Sequence, residues 1–110
     1  YMLNRMMGIL ENLVVFEDRM KSNIYLTNGV IFAQRVMNAL IEKGFVREQA
    51  YDTVQPVAMQ AMATGAAYQD LLKQNEVVMG ALTEEELDAC FTLEYYMKNV
   101  DYIYQRNGLK

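Results

Sequence analysis

The sequence contains no histidine. Without an imidazole there is no Ser-His-Asp or Cys-His nucleophile system, and the commonest metal ligand is missing. Its single cysteine, Cys90, can neither close an internal disulfide nor build a zinc site, and the acidic residues lack EF-hand spacing. A reducing cytoplasm is the default compartment for such a chain. One proline and six isolated glycines leave no phosphate-cradling loop and favour long regular elements over an all-β chain. No apolar run approaches the ~20 residues of a membrane span, and no signal-peptide pattern opens the chain. Lysines and arginines are scattered, the net charge is −4 and the sequence pI about 4.7, so nucleic acid is not an expected partner. Nothing in the composition asks for a metal, a cofactor or a membrane.

What is present is apolar and helix-forming. Hydrophobic residues make up 53% of 110 residues, too many for disorder and enough for one core. Nine methionines, with abundant Ala, Leu, Glu and Gln, favour helix. The expected fold class is all-α, a helical bundle.

Leu3, Met6, Met7, Leu10, Leu13 and Val14 recur at helical spacing and predict a helix over about Tyr1 to Val14. This helix begins in mid-period at Tyr1-Met2-Leu3 with no capping residue, which reads as a helix cut from a longer chain. Its stripe is expected to be incompletely covered, and the chain to self-associate through it. A second helical region spans about Asp18 to Lys43, with Met20, Ile24, Val30 or Ile31, Met37, Leu40 and Ile41 inward. Thr27-Asn28-Gly29 is a candidate break, since Thr or Asn can cap a new helix and Gly can end the old one; the pattern alone leaves the break open. Gly44 is a C-terminal stop after Lys43.

A third helix is predicted over about Arg47 to Ala63, bent or split at Pro56, with Tyr51, Val54, Ala58, Ala61 and Met62 facing one way. Interior proline removes a donor and crowds the carbonyl four residues back, that of Asp52, at ~3 kcal/mol. A short helix follows over about Ala67 to Lys73, and Val77-Val78-Met79 reads as helix by its neighbours. Thr83 and Glu86 match a capping box, with Leu82 and Leu87 placed to staple it, and that helix runs to about Cys90. Thr92 or Asn99 can cap the last stripe, Leu93, Tyr96, Met97, Val100, Ile103 and Tyr104, which Gly108 ends.

Few residues suggest chemistry. Cys90 reads as a buried structural thiol, and Glu84-Glu85-Glu86 as capping and helix-dipole charge before a carboxylate cluster. Tyr95, Tyr96, Tyr102 and Tyr104 read as core and interface packing before a stacking platform. Lys21 and Lys98 read as ordinary solvated charges. Gln34 and Arg35 are the candidate substrate-binding residues: Arg35 sits mid-helix opposite an apolar face. It either pairs with an acidic neighbour or reaches a ligand phosphate or carboxylate, and the ion pair is the favoured alternative. No catalytic residue is assigned.

Five segments in order resemble one family: Tyr1-Met2-Leu3-Asn4-Arg5, Met20-Lys21-Ser22-Asn23, Gly29-Val30-Ile31-Phe32-Ala33-Gln34-Arg35-Val36, Arg47-Glu48-Gln49-Ala50-Tyr51-Asp52-Thr53-Val54-Gln55 and Tyr95-Tyr96-Met97-Lys98-Asn99-Val100-Asp101. They are similar to the C-terminal region of bacterial adenylosuccinate lyase, of the fumarase/aspartase superfamily. One departure is Glu17, where the family usually has proline. The resemblance implies a parent that cleaves adenylosuccinate to AMP and fumarate, and does the equivalent step on the carboxamide ribotide, by cofactor-free β-elimination. The family's base is a serine on a Ser-Ser-x-Met-Pro-x-Lys-x-Asn loop and its acid a histidine; neither matches a residue here. The resemblance further implies that residues 1–16 end a helix of the central bundle and 17–110 form the small C-terminal helical domain. Its expected partners are the rest of the parent lyase and the other subunits of a homotetramer, and its role is packing, oligomerisation and active-site closure. The competing expectation is a stand-alone helical interaction module whose Met-rich surface takes a partner helix.

Overall fold

The stripes do fold as helices. A computed structural model describes residues 1–109; Lys110, the end of the expected second domain, lies outside them. In chain order the helices are α1 (Met2–Glu11), α2 (Glu17–Ile24), α3 (Ala33–Glu42), α4 (Arg47–Thr64), α5 (Tyr68–Lys73), α6 (Glu76–Ala81), α7 (Glu84–Cys90), α8 (Glu94–Met97) and α9 (Val100–Arg106). A 3-10 turn, Val30–Phe32, leads into α3. There is no strand among the described residues, and the fold is all-α.

The second helical region is interrupted at the Thr27-Asn28-Gly29 site, the alternative that the pattern leaves open. The break is made by the backbone, without a side-chain cap. Asn28 and Gly29 are both left-handed, with φ of 53° and 89°. Gly29 is needed for its left-handed φ; a Cβ there would meet the Phe91 ring at 3.4 Å, about van der Waals contact. The Thr27 hydroxyl is buried without a partner. At the far end of α3 the chain closes a Schellman turn: Phe45 N–H donates to Leu40 O (3.1 Å) and left-handed Gly44 to Ile41 O (2.9 Å).

Helix α4 runs unbroken through Pro56, so the helix is not split there. Pro56 and Asp52 are both on the exposed face, so water can satisfy the carbonyl that loses its donor. The buried face of α4 is Ala50, Val54, Val57, Ala58 and Ala61, while Tyr51 and Met62 are exposed. The stripe is rotated from the expected one, with Ala50 and Val57 buried in place of Tyr51 and Met62.

Helices α3, α4, α5 and α7 enclose the core, centred on Phe32, Leu40, Tyr68, Leu72 and Leu87. Tyr68 is fully buried, and its hydroxyl donates to Val54 O at 3.3 Å. The capping box on α7 is complete, with Thr83 N–H donating to Glu86 Oε2 (3.0 Å) and Glu86 N–H to Thr83 Oγ1 (3.2 Å). Leu82 and Leu87 are buried on either side of it, as a staple requires. Asn75 caps α6 by accepting from Val77 and Val78 N–H.

The termini differ. Of the residues expected inward in the second region, Met20 is exposed; of the alternatives Val30 or Ile31, Val30 packs on the core and Ile31 is exposed. No residue of α1, α2, α8 or α9 is buried, and Leu3 is 81% exposed. The last stripe is likewise exposed at Tyr96, Met97, Ile103 and Tyr104, with no side-chain cap from Asn99.

Candidate functional site

Residues on the α7 side of α3 border a cleft of about 200 Å³ lined by Arg35, Asn38, Glu42, Lys43, Glu86 and Cys90. Its lip is pinned by Lys43 Nζ on Glu86 Oε1 at 2.6 Å. Glu86 thus serves the α7 cap and α3 together, and the Lys43 hydrogen bond, with the cap, holds its carboxyl below the usual carboxylate range. Glu84 and Asp88 share Lys73, at 2.8 and 3.0 Å. The acidic run is therefore cap and ion-pair material, as the sequence suggests.

Arg35 is held differently from the expected ion pair. Its guanidinium carbon lies 3.7 Å from the centroid of the Tyr95 ring, and Nη2 donates to Ala89 O at 3.4 Å. The carboxylates on this side of α7 are engaged by Lys43 and Lys73, so the arginine finds a π-face and a helix carbonyl. Its Nε is buried with no partner. Lys98 reaches the same ring, Nζ 4.3 Å from the centroid, and is not simply a solvated charge. Tyr95 is 45% exposed, and Tyr102 and Tyr104 are exposed too, so none of the three is core packing in this chain.

Gln34 does not join Arg35. One residue along a helix turns ~100°. Gln34 Nε2 donates to Asn38 Oδ1 (3.0 Å), and the residue lines an apolar groove with Met37, Tyr51, Val54 and Ala58 between α3 and α4. Cys90 is buried, its Sγ–H directed at Glu86 O (3.3 Å), and burial pushes its thiol up, away from the thiolate. Beside the cleft, whose own lining balances Arg35 and Lys43 against Glu42 and Glu86, the Tyr95 ring gathers two cations, Arg35 and Lys98. Lys98 could have been found from its i, i+3 spacing to Tyr95; the meeting of Arg35 and Tyr95 across the fold could not.

No group of His, Cys, Asp or Glu that could hold a metal ion occurs among the described residues, and no helix there is long and apolar enough to cross a membrane.

Fold and site define a small all-α domain of the helical-bundle class, with a cationic anchor between α3, α7 and α8. The chain belongs to the adenylosuccinate lyase C-terminus family, which matches residues 29–107. The adenylosuccinate lyase of Bacillus subtilis (strain 168) is 46% identical over 109 residues, covering 99% of this chain and 25% of that protein. The chain therefore spans about a quarter of the length of the curated relative it matches. The family match opens at Gly29, which is also the first buried residue.

Proposed function

We propose that this chain is the C-terminal part of an adenylosuccinate lyase. The whole protein would eliminate fumarate from adenylosuccinate, giving AMP, and from the succinyl-carboxamide ribotide of purine biosynthesis, as a cytoplasmic homotetramer. The observation that carries the reading is the 46% identity across 99% of the chain. In this reading residues 1–16 end a central-bundle helix, and 17–110 form the small domain. The base and acid of the elimination come from elsewhere in the parent. This part packs, holds subunits together and helps close the active site. The uncovered apolar faces of α1 and α9 support a packing role. Arg35, seated on Tyr95, is the residue we assign to the anionic substrate; Gln34 faces another groove and is left with a secondary part.

The test is Arg35→Met in the whole protein, following fumarate release, with the present chain alone as control. A raised KM with an unchanged Tm supports the substrate contact. A lowered Tm with unchanged kinetics reduces Arg35 to an anchor for α8. Clear turnover by the chain alone would overturn the assignment of base and acid to other segments.

A further inference from the structure

Arg35 rests on the face of an aromatic ring rather than against a carboxylate. We infer, on the reading that Arg35 contacts the anionic substrate, that Tyr95 is its positioning residue. The ring fixes the guanidinium without neutralising it, and leaves an edge free for the anion.

Face and edge of a guanidinium do different things. The group is planar, and its N–H donors lie in the plane. A carboxylate partner takes the edge, cancelling the charge and occupying the donors. A ring takes the flat side, so charge and donors both survive. The guanidinium carbon of Arg35 is 3.7 Å from the Tyr95 centroid. Nη2 donates once, to Ala89 O at 3.4 Å, and Nε is enclosed without an acceptor. Nη1 has no acceptor among the described residues and is not enclosed, so it is the end left for a ligand.

The acidic groups of α7 do not compete for it. Glu86 is held by Lys43, and Glu84 and Asp88 by Lys73. Glu42 lines the same cleft but lies two turns along α3 from Arg35. Lys98 adds to the charge, with Nζ 4.3 Å from the same centroid. Two cations on one ring repel each other, and an anion beside them relieves that repulsion. Arg35 stands on α3 in the sealed span, whereas Tyr95 stands on α8, where no residue is buried. Removing the ring therefore takes little from the core, and its effect on the site can be separated from unfolding.

The test is steady-state kinetics of the whole lyase, following fumarate release, with Tm measured on each variant. Tyr95→Leu removes the ring face and should raise KM about three- to tenfold, with kcat and Tm near wild type. Tyr95→Phe keeps the face, loses only the hydroxyl and should return KM to the wild-type value. Tyr95→Leu added to Arg35→Met should raise KM no further than Arg35→Met alone, because an empty seat positions nothing. A KM that Arg35→Met raises and Tyr95→Leu leaves unchanged overturns the inference and spares the substrate contact. So does a Tyr95→Leu enzyme with a lowered Tm and an unchanged KM, which would make the ring an anchor for α8 and no more. An Arg35→Met enzyme with the wild-type KM removes the substrate contact itself, and the positioning role with it.

Discussion

Between Gly29 and Cys90 the helices bury one another; on either side of that span no described residue is buried. The flanking stripes are no less regular. Leu3, Met6 and Leu10 on α1 follow the same spacing as Val36, Leu40 and their neighbours on α3, yet the former lie open and the latter are sealed. The shape records the difference. The radius of gyration is 18.9 Å and the longest axis 60 Å, whereas a compact chain of this length would have a radius of about 13 Å. Periodicity tells that a face wants cover; only the fold tells whether this chain supplies it.

The sharpest break of that comparison is a matched pair of truncations. Leu87→Ala opens a cavity in the core and removes half of the α7 staple, and should destabilise by about 3 kcal/mol. Leu3→Ala should change stability by no more than about 0.5 kcal/mol. Urea melts of the two variants report both; similar losses would mean that the arm is packed after all.

The second effect concerns solution behaviour. An apolar face as open as that of α1 should make the chain associate as its concentration rises. Sedimentation velocity across a concentration series should show this, and Met6→Gln with Leu10→Gln should shift it back toward monomer. A strictly monomeric wild-type profile at the highest concentration would contradict the expected stickiness of the arm.

Within the core, Thr83→Ala should remove about 1 kcal/mol with the α7 cap. If melts of variant and wild type overlay, the capping box contributes nothing to stability.

The smallest effect is electrostatic. Glu86 has its folded pKa lowered by Lys43 and the cap, so its contribution is present at neutral pH and is lost as pH falls through and below the carboxylate range. Wild type and Lys43→Met should therefore differ slightly at neutral pH and converge in acid. A gap that persists in acid would trace to packing of the Lys43 stem and not to its charge.

Local signals were well read from the sequence. The α7 capping box, the Gly44 stop and the all-α class rest on residues within a few positions of one another. Asn75 before Glu76 is a cap of the same kind that the pattern at 77–79 obscured. Long-range facts were not legible. The rotation of the α4 stripe depends on which face α3 meets, and the continuity of α4 through Pro56 depends on that residue facing water. The Arg35 seat joins positions 35 and 95, which no spacing rule links.

Tyr68 gives the buried half of the molecule a chemical clock. Its phenol is fully enclosed and burial raises its pKa, so the folded chain resists forming the phenolate. The unfolded chain has no such resistance. Above the ordinary tyrosine range, proton release therefore favours unfolding, and stability falls with rising pH. Among eight tyrosines this one should ionise only as the core opens. In a spectrophotometric titration, its absorbance step and the loss of helix should then arrive together.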